Sequence, residues 1–536
     1  MGFRSAGRFF GVAATILSSF ALDVVAAPQP KAAWVRGARS RLAKSSKWNS
    51  ERELSNSSQC EQTSPADFKA PFENVWASLT DDEAASVAAW LFHQPELNLT
   101  VSDKTGEWDN SLLLVELMVP NKTDILAYID GNATAPARYA HAVLDIRATE
   151  EPTYTDILVG PIPVVNGTTT WQPLEYPYTR KTGGSIRNLD ADSDSLYSEY
   201  IYKTLRWISG VEPLWVRITI LWISGVLTLS GNMMANRPAG TPSGISLTMY
   251  SMPKLCSLSA CFFKSDVTGR DPSKWKLEGW LYNDVFYPTT EAFRTAYWSG
   301  NFTKLGANVE GDWARTDQDG PVLAMDDQSP PVAVTLAGAR YSVDHEEQYV
   351  EWMGFSFYLS FSRDTGLSLF DIRHKGQRIL YELGLQEALA HYAGNDPVQS
   401  GTSYLDTYYG FGPYAFQLVP GYDCPSYATY MNTWYYVDET THTHINSVCF
   451  FEFDADYPMQ RHSTSSYVAN TKNVYFSVRS VSTVGNYDYM FTYSFHMDGS
   501  IHVEVRASGY IQSAYYAHNA DYGYHIHDYL SGSMHD

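Results

Sequence analysis

Five histidines toward the C-terminal end stand where imidazoles could meet a metal ion: His442-x-His444, His525-x-His527 and, by itself, His535. On a strand, residues i and i+2 point to one face, so an H-x-H pair can offer two nitrogens to one ion, and imidazole ligation suits copper or zinc. A histidine pair in a β-protein is more often a surface or hydrogen-bonded feature, so the spacing alone assigns no metal. The segment Thr483-Val484-Gly485-Asn486-Tyr487-Asp488-Tyr489 reads by composition as a turn between two strands, with Gly and Asn permitting the bend and the tyrosines packing. Asp406, shortly before Gly410, reads in isolation as a turn aspartate.

Taken jointly, these segments say more. T-V-G-N-Y-D-Y resembles the cofactor motif of copper-containing amine oxidases, T-x-x-N-Y-[DE]-[YN], whose central tyrosine is oxidised in place to topaquinone. The resemblance gives that role to Tyr487 and makes Asn486 a residue that orients the ring. Eighty-one residues upstream, Tyr404-Leu405-Asp406-Thr407-Tyr408-Tyr409-Gly410-Phe411-Gly412 looks like the family segment carrying the catalytic base, Asp406. Tyr404 matches the gate residue beside the quinone. Tyr392, fourteen residues before Asp406, matches the tyrosine that hydrogen-bonds the quinone oxygen. Cys424 and Cys449 match the disulfide of the family's catalytic domain. Asn74-Val75-Trp76 and Ser265-Asp266-Val267-Thr268-Gly269-Arg270-Asp271-Pro272 look like its two small α+β domains, in a fungal-type version. The resemblance covers about residues 65–205 and 255–536.

What it implies is oxidative deamination of a small primary amine by dioxygen, giving aldehyde, ammonia and hydrogen peroxide. Copper and a topaquinone made from Tyr487 are the implied cofactors. The quinone supplies covalent catalysis and an electron sink. Asp406 removes the α-proton, and burial could raise its pKa toward neutrality for that task. The family's first two copper ligands form an H-x-H well beyond the quinone tyrosine. His535, 48 residues after Tyr487, matches the first of them. The pairs His442/His444 and His525/His527 have the pattern without the position and are read as non-ligands. Asp536 follows His535 as the last residue, so the copper set and the second half of the β-sandwich are expected to be incomplete, with open sheet edges. A protein ending there is expected to be inactive and poorly soluble. The alternative reading is an inert remnant that neither binds copper nor forms the quinone.

The elements that must position these residues are legible in outline. Thr80-Asp81-Asp82-Glu83 is a capping box, followed by Ala84, Val87, Ala88 and Leu91 at helical spacing. Leu112 to Val119 and Asp124 to Ile129 read as strands around Pro120-Asn121. Val474 to Val481, Met490 to Phe495 and Ile501 to Val505 read as strands, the last two joined by the turn Met497-Asp498-Gly499-Ser500. The expected fold is α+β: two small α+β domains, at 63–155 and 156–315, then a large antiparallel β-sandwich catalytic domain from 320 to 536. Residues 206–250 break the texture, because Trp207-Ile208-Ser209-Gly210 recurs as Trp222-Ile223-Ser224-Gly225 within an apolar run. A buried strand pair or translated intron sequence accounts for it better than a membrane helix.

Composition sets the wider limits. The chain has 536 residues, enough for several domains. Lys+Arg 38 against Asp+Glu 59 gives a net charge of −21, which opposes nucleic-acid binding and favours small cationic substrates. Arg4 and Arg8 precede an apolar stretch from Phe9 to Leu22 and small residues before Pro28, as in a secretory signal over 1–27, and too short for a bilayer span. A basic propeptide or flexible arm follows over 28–62. Sequons at Asn56, Asn98, Asn121, Asn132, Asn166 and Asn301 make a secreted glycoprotein the expectation. Five cysteines (Cys60, Cys256, Cys261, Cys424, Cys449) allow two disulfides and one leftover thiol, with connectivity open from the residues alone. The resemblance further implies a homodimer and no membrane partner. A carbohydrate-active enzyme with paired carboxylates would suit the composition, but no spacing supports it.

Overall fold

The computed structural model describes residues 68–174, 261–304 and 328–509, apart from short gaps, with isolated strands elsewhere. The expected signal and arm (1–62), Asn56, Asn486, Cys60, Cys256 and nearly all of 206–250 lie outside the described residues.

The capping box forms as its residue types require. The Thr80 hydroxyl accepts from the Glu83 amide at 3.2 Å, and the Glu83 carboxylate accepts from the Thr80 amide at 2.9 Å. Helix α1 (Asp81–Leu91) then turns Ala84, Val87, Ala88 and Leu91 inward. Strand β1 (Ser111–Met118) follows. Residues 124–129, expected as a strand, are instead part of helix α2 (Lys122–Ile129). The reason is local: Asn121 Oδ1 accepts from the Thr123 amide at 2.8 Å and starts the helix, and Ile125 and Ile129, four residues apart, bury the same face against the Trp76 cluster. Strands β2 (Arg138–Ile146), β3 (Thr153–Ile162) and β4 (Thr170–Pro173) complete the first unit. The boundary expected at 155–156 cuts through β3. That strand pairs with β2 from Ile146↔Thr153 to Arg138↔Ile162, so it belongs to the first sheet.

The second unit has strands β5 (Ser246–Leu247), β6 (Cys261–Asp266), β7 (Lys276–Tyr282) and β8 (Val285–Tyr287), covered by helix α3 (Thr290–Tyr297). Trp280 of β7 stacks on Phe293 of α3 with centroids 5.6 Å apart.

The large domain opens with a five-stranded antiparallel sheet: β9 (Ser342–Asp344), β10 (Tyr349–Trp352), β11 (Phe355–Ser362), β12 (Gly366–His374) and β13 (Gln377–Gly384). Short strands β14 (Leu389–Ala393) and β15 (Ser403–Leu405) lead into α4 (Asp406–Tyr409). Then come β16 (Thr429–Val437), β17 (Thr440–Asp454), the exposed hairpin β18 (Gln460–Ser463) and β19 (Val468–Thr471), β20 (Val474–Val484), β21 (Tyr487–His496), β22 (Ile501–Gly509) and, near the end, β23 (Met534–His535). The expected hairpin turn is present: Gly499 has φ +92° and the His496 amide donates to the Ser500 carbonyl at 3.0 Å.

One long sheet runs β22-β21-β20-β17-β16-β1-β2-β3-β4. Its two parts meet where Leu114 and Val115 of β1 pair with Val437 and Tyr436 of β16, so the first unit extends the sheet of the large domain. The large-domain part faces the five-stranded sheet across a core of aromatic rings, with Phe357 stacked on Phe495 at 4.6 Å and Trp352 on Phe476 at 6.0 Å. This is the expected α+β architecture with an antiparallel sandwich. Among the described residues, no helix is long and apolar enough to cross a membrane.

Candidate active site

The motif turn is a two-residue connection. Val484 pairs with Tyr487 and Thr483 with Asp488, so the chain reverses between these pairs, where Gly485 has φ +62°. The Thr483 hydroxyl donates to Asp488 Oδ1 at 2.6 Å and ties the two strands beside the turn. Tyr487 and Tyr489, two residues apart on β21, share a face, with ring centroids 6.2 Å apart. Tyr487 is half-buried.

Asp406 comes to this face from the other side of the sequence. Its amide donates to the Ala388 carbonyl at 2.8 Å, and its carbonyl accepts from the Gly410 amide at 3.1 Å, closing the single turn of α4. Gly410 is required here: it has φ +91°, and a Cβ would sit 2.6 Å from the Arg363 carbonyl oxygen. Beyond it, Phe411 enters the core and packs edge-on against Tyr489 and Phe491, at 5.4 and 5.3 Å. The Phe411 carbonyl takes the Ser482 hydroxyl at 2.9 Å, which fastens this loop to β20. The result is one close contact: the Tyr489 hydroxyl donates to Asp406 Oδ2 at 2.6 Å. Asp406 is 9% exposed. Burial pushes its carboxyl above the usual carboxylate range, and the Tyr489 hydrogen bond draws it part of the way back. Burial and the adjacent carboxylate hold the Tyr489 phenol far above an ordinary tyrosine, so it stays a donor.

A three-stranded sheet, β15-β14-β23, gathers three further expected residues by backbone register. Tyr392 pairs with His535, and Tyr404, two residues before Asp406, pairs with Ala390. Cys424 forms a disulfide with Cys449 of β17, buried with Leu418 and Phe451. The histidine pairs lie elsewhere. His442 Nε2 is 3.2 Å from the Val437 carbonyl oxygen, and His442 and His444 both lie against the Tyr435 ring, at 5.1 and 5.7 Å. His525 is exposed. Of the sequon asparagines, Asn98, Asn121, Asn132, Asn166 and Asn301 are exposed.

A quinone derived from tyrosine fits these residues, because Tyr487 is half-buried on a regular strand, one ring away from the residue that holds the buried carboxylate. Among the described residues, no group of three or more His, Cys, Asp or Glu could hold a metal ion, so the described side chains do not assemble a copper set. The residue that sequence reasoning passed over is Tyr489. It stands last in the singled-out motif, and strand alternation from Tyr487 was the signal that places it on the same face.

Residues 342–536 match the model for the copper amine oxidase enzyme domain, residues 83–167 the copper amine oxidase N2 domain, and residues 257–321 a domain of unknown function, DUF1965. A copper amine oxidase of Bipolaris victoriae, vicK1, is 40% identical over 87% of this chain and 65% of its own length. The crystal structure of Aspergillus nidulans amine oxidase aligns with TM-score 0.78 and 57% identity, covering 89% of this chain and 65% of that one. A Pichia pastoris lysyl oxidase aligns equally well, at TM-score 0.78 and 35% identity, over 90% of this chain and 66% of that one. The chain thus spans about two thirds of the length of these relatives.

Proposed function

We propose, from the premise that the chain belongs to the copper amine oxidase family, that it oxidises primary amines, taking amine, dioxygen and water to aldehyde, ammonia and hydrogen peroxide. In this family copper and a tyrosine-derived topaquinone carry the oxidation, and here Tyr487 would become the quinone. The observation that carries the reading is the buried Asp406 carboxylate joined to the Tyr487 strand through Tyr489. Among the described residues Asp406 Oδ1 has no hydrogen-bond partner, and it would take the α-proton of the bound amine. A buried carboxylate with a raised pKa is the stronger base for that step. Asp406 is itself buried, and the Tyr489 ring that holds it packs on Phe411, which packs in turn on Phe491. Tyr392, Tyr404, Asn486 and His535 keep the supporting and ligand roles that the resemblance gives them. The net charge of −21 favours approach of cationic amines. Nothing in the comparisons favours the inert-remnant reading. Exposed sequons and the signal-like N-terminus support a secreted glycoprotein, and the family resemblance extends the reading to a homodimer.

The test is peroxide release from benzylamine or methylamine by copper-supplemented protein of the relatives' full length, with phenylhydrazine labelling located by mass spectrometry. Peroxide together with a label on the Tyr487 peptide is the expected result. Absence of both from copper-loaded, folded protein would overturn the reading.

A further inference from the structure

We propose that Tyr489 is the positioning residue of the Asp406 base: its hydroxyl clamps Oδ2 and leaves Oδ1 as the oxygen that receives the substrate proton. The proposal deepens the amine-oxidising reading and rests on it. A carboxylate on a single-turn helix can rotate about its Cα–Cβ and Cβ–Cγ bonds, and a base is effective only with its lone pair aimed at the proton. At 2.6 Å the Tyr489 contact is a short, charge-assisted O–H···O bond, strong enough to select one orientation.

The clamp itself is fixed from three sides. Tyr489 pairs with Ser482 of β20 and with Ala507 of β22, so its backbone lies inside the sheet rather than at an edge. Phe411 meets its ring edge-on, and Phe411 is in turn tied to Ser482. Asp406 is tethered to Ala388 and to the Gly410 turn. Donor and acceptor are therefore held by different parts of the chain, and their meeting is a product of the fold.

A core tyrosine that merely satisfies its hydroxyl would show the same bond, so the test must read the carboxylate. Titratable residues on the elements beside Asp406 are Tyr487 and Tyr489 on β21, His391 and Tyr392 on β14, Tyr404 on β15, and Tyr408 and Tyr409 on α4. Among the described residues, burial and Tyr489 are the two influences on its titration. The hydroxyl stabilises the ionised form, so its removal must raise the pH at which Asp406 loses its proton.

In Tyr489→Phe the ring and its packing remain and only the donor is lost. Infrared difference titration, with the Asp406 carboxyl band assigned by its absence in Asp406→Asn, should show the midpoint rising by about one pH unit. The acid limb of kcat/KM should move up by the same amount, with KM nearly unchanged. As an independent variant, 3-fluorotyrosine at position 489, a more acidic donor, should move the midpoint the other way. An Asp406 midpoint that stays in place in both variants overturns the clamp. If the midpoint moves with residue 489 while wild-type protein yields no peroxide, the clamp stands and the amine-oxidising reading falls. If peroxide is made and neither variant shifts the midpoint, the reading stands and the clamp falls.

Discussion

Two buried ionisable clusters involve the one long sheet, and they are built on opposite plans. In the first unit, His141 of β2 is 2% exposed and held on both sides, with Nε2 2.7 Å from Asp156 Oδ1 and Nδ1 3.1 Å from Glu116 Oε1. Burial pulls its pKa down, but the Asp156 and Glu116 hydrogen bonds and charges outweigh that and raise it to about 9. An imidazolium is thus matched by carboxylates on the two neighbouring strands, β1 and β3. In the large domain, Asp406 has no cation beside it among the described residues, and its one partner is a neutral phenol. The first cluster pairs its buried cation on both sides and is a structural tie. The second leaves a carboxylate under-compensated, at a cost in stability, and that is the condition in which a carboxylate can accept a proton near neutral pH. Burial alone does not mark a functional site; the shortfall in partners does.

This contrast can be broken by exchanging the expected consequences. Asp406→Asn should lower amine turnover by about 10²–10⁴-fold, the usual contribution of a positioned base. Because it removes an uncompensated buried charge, its melting temperature should hold or rise. Initial rates beside calorimetry check this, and a large loss of stability would place Asp406 with the structural cluster. His141→Leu should do the reverse. It strands two carboxylates in the sheet and should cost about 3–5 kcal/mol in denaturant unfolding, with turnover per folded molecule retained. A comparable loss of turnover in refolded, soluble protein would end the distinction.

Proton linkage sharpens the comparison with a smaller effect. The folded value of His141, about 9, lies above its ordinary 6.5. Its stabilisation is therefore fully present below pH 6.5 and is lost as pH rises through about 9, amounting to on the order of 3 kcal/mol. Melting temperature measured across that window should fall in the wild type, and the part of the slope due to His141 should vanish in His141→Leu. An unchanged slope would mean that the imidazole is not protonated in the folded protein.

Much of both clusters' surroundings was readable before any coordinates. The capping box at Thr80, the strands of β20 to β22 and the turn at Gly485 follow from local pattern, since each depends on residues within a few positions of one another. Asp124 to Ile129 misled for the same reason: a short apolar run fits strand or helix, and the Asn121 cap decided it. The motifs around Tyr392, Asp406 and Tyr487 carried a resemblance to the family, and that resemblance implied the base and the cofactor tyrosine.

What sequence could not supply is whatever depends on elements far apart in the chain. The contact between Tyr489 and Asp406 joins residues 83 positions apart, and it exists only because Gly410 lets the α4 turn pass close to Arg363 while Phe411 anchors the loop to β20. The pairing of β1 with β16, which makes the first unit part of the large domain's sheet, likewise has no local signature. The residues alone determined which side chains could do chemistry, because side-chain type and spacing are properties of the chain. Burial and pairing set how strongly each one holds its proton, and those belong to the tertiary structure alone.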